Sequence, residues 1–161
     1  MFPYFLIILT FLADRFSKWW ATSYLMEHGP TRINGLFSIQ ETYNRGIAFG
    51  MFQGIGPIIG WLTIAVVVGM FIYLVRLPKE EKLVRIGLAL LIGGALGNLV
   101  DRIMVGQVLD FIETPLRSGI FNVADVAINL GMIIILLGTI WSMLRSRKQK
   151  LVEAPPSGQN G

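Results

Sequence analysis

Four stretches of this chain carry no charged residue: 1–13, 46–75, 86–100 and 126–144. Apolar residues fill them almost without interruption, showing neither alternation nor a polar face. Helices of that kind are surrounded by apolar matter on all sides, and about 20 mostly apolar residues suffice to cross a bilayer. The pattern predicts four transmembrane helices, at about 3–24, 57–77, 84–105 and 123–144. The N-terminal run has no basic region before it and no small-residue cleavage site after it, so it reads as a span and not a removable signal.

Between the first two spans the pattern is not helical. Asn34-Gly35 is a hairpin signal. It is flanked by 31–33 and by 36–43, a stretch rich in β-formers. A small twisted sheet on the outer surface is expected there. Tyr43 to Gly50 follows, polar at its start and apolar at its end. It would lie close above the helix ends or serve as an ordinary interfacial loop. Span two has no internal polar cluster and reads as scaffold, with Gly56 and Gly60 at the spacing that permits close helix packing. The 106–122 connection is short, and Pro115 ends any helix there. Residues 1–150 then form one membrane-embedded domain. The tail 151–161 is polar, with Pro, Ser and Gly, and is expected to be disordered.

Composition agrees: 53% of residues are hydrophobic and 15% charged, too few charges for a soluble domain of 161 residues. The net charge of +4 could suggest nucleic acid, but its placement argues for a membrane. Arg76, Lys79, Lys82 and Arg85 fall between spans two and three, and Arg145, Arg147, Lys148 and Lys150 follow span four. By the positive-inside rule both termini and the 76–85 loop face the cytoplasm, and the 25–56 and 106–122 connections face outward. The chain has no cysteine and a single histidine, His28. Disulfides, a cysteine nucleophile and cysteine zinc sites are excluded, and a histidine triad or metal site would rest on one residue.

The remaining charges stand where a membrane protein should avoid them. Asp14 and Lys18 follow an apolar run only 13 residues long, about 20 Å of helix. They are four apart, so they share a face and can pair. Such a pair could anchor the helix at the interface beside Trp19 and Trp20, with Lys18 snorkelling outward. In span three, Asn98, Asp101 and Arg102 fall on one face. The run before Asp101 is 15 residues, so Asp101 and Arg102 belong at membrane depth. Asp101 reads as a structural ion-pair partner, with Arg102 its neighbour, and Arg102 could also contact a substrate carbonyl. Asp110 is a lone acid among Val108, Leu109, Phe111 and Ile112. Asn122 is a candidate N-cap of span four, which makes Asp125 the third helical residue, favoured by the helix dipole. Alone, Asp110 could be a surface acid and Asp125 a helix-start acid. Together they lie at the same end of two spans, joined by a short connection, and ionisable groups there read as functional.

Two carboxylates in contact share one proton. The ionised one can take a proton from water, and the protonated one can hydrogen-bond a scissile carbonyl. Three classes stay open on the residues alone: a two-carboxylate protease, a proton-coupled transporter and a non-enzymatic scaffold.

Five ordered blocks carry a resemblance. They are Asp14-Arg15-Phe16-Ser17-Lys18, then Tyr43-Asn44-Arg45-Gly46-Ile47-Ala48-Phe49, then Gly93-Gly94-Ala95-Leu96-Gly97-Asn98-Leu99-Val100-Asp101-Arg102, then Val108-Leu109-Asp110-Phe111-Ile112, and Phe121-Asn122-Val123-Ala124-Asp125. Together they resemble the bacterial lipoprotein signal peptidases, the aspartic peptidases called signal peptidase II. The resemblance implies an all-α integral membrane protein of four transmembrane helices, with a small extracytoplasmic β-cradle and a short extracytoplasmic loop or helix. It implies a catalytic dyad of Asp110 and Asp125. Asp14, Lys18, Asn44, Gly94, Asn98, Arg102 and Asn122 match positions that support the site or the substrate. It further implies cleavage of diacylglyceryl-modified prolipoproteins on the amino side of the lipidated cysteine, inhibition by globomycin-like cyclic peptides, and no metal or other cofactor. The place would be the bacterial cytoplasmic (inner) membrane, with the site near its outer face and the chain monomeric. Arg15 departs from the family, which often has Gln there, and Val126 stands where a small residue is common.

Overall fold

The computed structural model describes residues 1–45 and 56–153, and side chains at all of these except 56–59, 117–118 and 148–153. The elements in order are α1 (Phe2–His28), β1 (Thr31–Arg32), β2 (Ser38–Asn44), α2 (Gly56–Arg76), α3 (Lys82–Met104), β3 (Val108–Thr114), β4 (Arg117–Phe121) and α4 (Val123–Glu153). The four helices lie close to the ranges that the pattern predicted, and α1 runs on past its charge-free stretch, through Asp14 and Lys18, to His28. α4 is longer than its apolar run and continues through the basic residues after Leu144 to Glu153. Lys and Arg are good helix formers and are favoured near a helix C-terminus, so the start of the expected disordered tail is helical. The rest of that tail, 154–161, lies outside the described residues, as does the 46–50 part of the glycine-punctuated block.

α3 is the centre of the bundle, packed against α1, α2 and α4. Its glycines make this possible. A Cβ at Gly87 would stand 2.6 Å from the Gly131 carbonyl oxygen, and one at Gly94 would stand 2.6 Å from that of Ala124. A Cβ at Gly93 would meet Thr10 Cβ at 2.7 Å, and one at Gly97 would fall on the Asp14 carboxylate, 2.8 Å from its Cγ. The backbones approach until side chains of any size are excluded, and dispersion contacts replace them. α2 packs mainly on α3, through Val67 and Leu74 beside Val84, Leu88 and Ile92, and its Phe71 meets Tyr4 of α1. Arg85 closes that contact by donating from Nη1 to the carbonyls of Leu74 at 2.9 Å and Leu77 at 2.7 Å, which satisfies the end of α2. Gly60 does not serve close packing among the described residues: none of them lies within 4 Å of where its Cβ would stand. Its spacing permitted an approach that α2 makes elsewhere.

The sheet corrects the expectation of a loop or helix after span three. Residues 108–121 form a second hairpin, and the four strands run antiparallel in the order β1-β2-β3-β4. Pro115 sits in its turn, where proline's missing N–H costs no ladder bond. The protein is therefore mostly helical with a small sheet. The first hairpin pairs Thr31 with Ile39 and Arg32 with Ser38. Asn34 shapes its loop through its side chain, Oδ1 accepting from the N–H groups of Leu36 (2.8 Å) and Phe37 (2.9 Å). Ala21 and Leu25 of α1 pack with Ile39 and Phe111, which fixes the sheet over one end of the bundle.

Among the described residues, two helices are long and apolar enough to cross a membrane: α3 and the Val123–Arg147 part of α4. Gly60–Arg76 of α2 is shorter, and α1 carries Asp14, Arg15 and Lys18 within its length. The outward faces of α1, α2 and α4 are apolar, with Phe5, Leu12, Trp61, Leu62, Phe71, Leu136 and Trp141 among the exposed side chains. A water-soluble monomer rarely exposes so continuous an apolar surface.

Candidate active site

At the sheet end of the bundle, α1, α3, β3 and α4 bring their polar residues together. Asp14, Lys18, Asn98, Asp101, Asp110 and Asn122 are all buried there. Every one had been singled out from the sequence.

Asn122 is the hinge between β4 and α4. Its Oδ1 accepts from the Asp125 N–H at 2.9 Å, the N-cap bond expected of it. Its Nδ2 lies 2.6 Å from Asp110 Oδ1, 3.1 Å from Asn98 Oδ1 and 3.3 Å from the Leu109 carbonyl. Asn98 turns its own Nδ2 to Asp125 Oδ1 at 3.0 Å. A lysine amine can only donate, and Lys18 Nζ lies 3.0 Å from Asn98 Oδ1, so the orientation of this amide is forced. Two asparagines thus link the carboxylates in one ladder, Asp110–Asn122–Asn98–Asp125. Asn44 on β2 donates to the other Asp110 oxygen, Oδ2, at 3.3 Å.

Asp110 reaches this position because it lies on a strand. It pairs with Thr42 across β2, beside a shift of register between Ile39 and Thr42. A second irregularity follows between Ile112 and Thr114. Bulges of this kind bend a strand and re-aim its side chains. Burial, reinforced by the charge of Asp125, raises the Asp110 carboxyl to about 6, against the hydrogen bonds from Asn44 and Asn122 and the charge of Lys18. A carboxyl so placed holds or releases a proton near neutral pH, as a general acid or base must.

Behind the ladder lies an ion cluster. Lys18 Nζ is 2.9 Å from Asp14 Oδ2 and 2.7 Å from Asp101 Oδ2. Asp14 Oδ1 accepts from the Ala124 N–H at 2.9 Å, tying α1 to the first turn of α4. The Leu109 N–H donates to Asp101 Oδ2 at 3.4 Å, tying α3 to the strand residue before Asp110. Arg15 completes the cluster by pairing with Asp101 Oδ1.

One expectation fails here. Lys18 does not snorkel: its side chain is 3% exposed. Two carboxylates and an amide oxygen, all buried, offset its desolvation better than the interface would. Asp101 is the structural ion-pair partner expected of it, holding α3 to Arg15 and Lys18 of α1. Arg102 extends along α3, with Nη1 3.5 Å from the Asn98 carbonyl. Gly94 bears no site chemistry of its own and lets α3 close on α4 beside Asp125. Arg15 was missed as a partner, although its position directly after Asp14 was a usable signal.

The arrangement is that of a membrane-protein fold with an acid-rich, amide-tied site under a small sheet. The fold recurs in two solved bacterial membrane enzymes. One aligns with a TM-score of 0.76 at 23% identity, over 85% of this chain and 91% of that one. The other aligns with 0.75 at 21% identity, over 98% and 94%. The family profile described as signal peptidase (SPase) II matches residues 6–141. A lipoprotein signal peptidase of Anoxybacillus flavithermus is 39% identical over 153 residues, 92% of this chain and 90% of that protein. One from Caldanaerobacter subterraneus subsp. tengcongensis is 41% identical, over 81% and 91%. The chain belongs to the signal peptidase II family, and is accordingly a protease.

Proposed function

We propose that this chain is a membrane aspartic endopeptidase. It removes the signal peptide from diacylglyceryl-modified prolipoproteins, cutting on the amino side of the lipidated cysteine. Asp110 and Asp125 are its catalytic dyad. The observation that carries this reading is Asp110 itself, buried, joined to Asp125 through two asparagines, and titrating at about 6. Family membership and the names of the relatives support the substrate class.

With one proton between them, the ionised carboxylate takes a proton from a water molecule as the water oxygen attacks the scissile carbonyl carbon. The protonated carboxyl donates to the carbonyl oxygen as it becomes negative. Collapse breaks the C–N bond, and a proton passes from the dyad to the leaving amine, so the pair returns to its starting state. Asn122 and Asn98 hold both carboxylates against rotation, and Asn44 fixes Asp110 from the sheet side. Such preorganisation shortens the search for reactive geometry. Arg102, on the same end of α3, is placed to meet a substrate carbonyl.

In this reading all four helices span the bacterial cytoplasmic membrane. Both termini lie in the cytoplasm and the sheet on the outer face. The signal helix enters sideways among α1, α3 and α4, while the lipid tails remain in the bilayer. Globomycin-like cyclic peptides compete for the same site. The chain acts as a monomer and residues 1–150 form one domain.

The test is cleavage in detergent or lipid of a diacylglyceryl-modified prolipoprotein beside its unlipidated form. Release of signal peptide from the lipidated form alone is expected. No cleavage by folded protein, or equal cleavage of both forms, would remove the assignment.

A further inference from the structure

Arg15 is the one member of the ion cluster that reaches it from a partly open position, its side chain 33% exposed against 7% for Asp101. Its contribution is charge balance. The cluster holds two carboxylates, Asp14 and Asp101, and two cations, Lys18 and Arg15. Lys18 joins the cluster to the ladder. Its amine lies 2.7 Å from Asp101 Oδ2 and 2.9 Å from Asp14 Oδ2 as their ion-pair partner, and donates to Asn98 Oδ1 at 3.0 Å.

Without Arg15, Asp101 would keep its full charge in a buried site and lose the cation on its Oδ1, leaving the shared Lys18 at Oδ2. Coulomb attraction grows steeply in such a low-dielectric site. Lys18 would be drawn to Asp101, and the neutral amide of Asn98 is the acceptor it would give up first. Asn98 could then rotate, and its Nδ2 is what holds Asp125 Oδ1. The same Asp101 oxygen that Lys18 bonds also receives the Leu109 N–H, one residue before Asp110. Both halves of the dyad therefore depend on how Asp101 is neutralised.

We propose that Arg15 is a positioning residue for the Asp110–Asp125 dyad. By neutralising Asp101 Oδ1 it keeps Lys18 shared between the ion cluster and Asn98, and so holds Asn98 in register with Asp125. The inference rests on the peptidase reading above.

The experiment compares full-length wild type with Arg15→Gln, Arg15→Lys and the double variant Arg15→Gln/Asp101→Asn. Each is melted in detergent, and kcat and KM are measured separately on a diacylglyceryl-modified prolipoprotein. Arg15→Gln is expected to lower kcat about tenfold with KM within about twofold, since Arg15 acts on the dyad through Asp101, Lys18 and Asn98 and not on the substrate. Arg15→Lys restores most of the loss. The double variant also recovers, because removing the Asp101 charge frees Lys18 for Asn98. A bracket that merely held helices together would give a double variant no better than Arg15→Gln. An unchanged kcat in Arg15→Gln, or a loss that neither Arg15→Lys nor the double variant recovers, overturns the proposal. If Arg15→Gln does not fold, the double variant decides. A kcat within about threefold of wild type supports the proposal, and a loss above about tenfold overturns it. A folded wild type that fails to cleave overturns the peptidase reading, and this proposal with it, whereas an active wild type with equally active variants overturns this proposal alone.

Discussion

α1 and α2 are neighbours of α3 on different sides, and they are opposites. α2 carries no charge before Arg76, yet it turns Trp61, Leu62, Val66, Val68, Phe71, Ile72 and Val75 outward. α1 has charges in mid-helix, yet it hides Asp14 and Lys18 completely while exposing Phe5, Leu12, Phe16 and Trp19. In water the arrangement would be inverted. In lipid it is the economical one: apolar side chains meet hydrocarbon, and ionised groups are affordable only where they meet each other. α2 contributes a wall, and α1 contributes half of a polar site. A helix of this kind is recognised by where its charges go, not by how few it has.

The sharpest way to break the contrast is to neutralise the proposed dyad, Asp110 and Asp125. Asp125→Asn and Asp110→Asn should each lower turnover by about a thousandfold or more, the scale of a lost acid–base group. Neither should unfold the protein, because an amide fills the same volume and keeps hydrogen-bonding capacity. Cleavage rates beside melting curves in detergent check this. Near-normal turnover in either variant would take that residue out of the dyad. The equivalent polar change on the exposed face of α2, such as Val68→Thr, should leave turnover unaltered.

Removing the cluster's central cation comes next. Lys18→Met preserves the aliphatic stem but removes the cation that Asp14 and Asp101 share. Breaking one side of a buried ion pair costs about 3–5 kcal/mol, so a large fall in melting temperature is expected. Val67 and Leu74 of α2 face α3 without any such charge, and Val67→Ala should cost about 1–2 kcal/mol by lost packing alone. Equal melting temperatures for Lys18→Met and wild type would mean that the cluster is not the keystone of this end.

Much of this end was legible beforehand, for local reasons. Asp14 and Lys18 are four apart on one helix, and Asn122 and Asp125 stand at N-cap spacing, so each pair is set by helix geometry alone. The Arg15–Asp101 pair joins positions 86 apart, and no spacing rule reaches across that distance. β3 escaped notice for a different reason. Val108, Leu109, Asp110 and Phe111 are buried on both faces of the strand, so the alternation that marks a half-exposed strand is absent. Gly60 shows the converse error, since glycine spacing states what could approach but not which face meets a neighbour.

Proton binding at Asp110 gives a third contrast, because α2 has no carboxylate. The carboxyl is raised from 3.8 to about 6, so the native state binds this proton more tightly than the unfolded chain. Its contribution to stability is full below pH 3.8 and is lost as the pH rises to about 6. The span is worth up to about 3 kcal/mol at 1.36 kcal/mol per pH unit. Asp110→Asn removes this dependence, so melting curves of the variant should gain on wild type between pH 4 and 6 and run parallel above. In kcat/KM of the wild type, an alkaline limb should appear with an apparent pKa no lower than about 6. A difference in melting that is flat across this range would show that Asp110 is not desolvated.

The smallest effects sharpen the comparison best, because they come from one methyl group. Gly97 and Gly60 are both helical glycines. A Cβ at Gly97 would strike the Asp14 carboxylate, which Lys18 and the Ala124 N–H hold in place, whereas a Cβ at Gly60 would meet none of the described residues within 4 Å. Gly97→Ala must therefore push α1 from α3 or unseat Asp14, and overpacking of this kind costs about 1–3 kcal/mol. Gly60→Ala meets no such obstacle and gains the helix preference of alanine over glycine, up to about 1 kcal/mol. The two variants should move the melting temperature in opposite directions. Gly97→Ala should also lower turnover, since Asp14 and Lys18 cannot both keep their places. A destabilising Gly60→Ala would reveal a partner packed on that face of α2, and a harmless Gly97→Ala would mean that α1 and α3 stand further apart than the ion cluster requires.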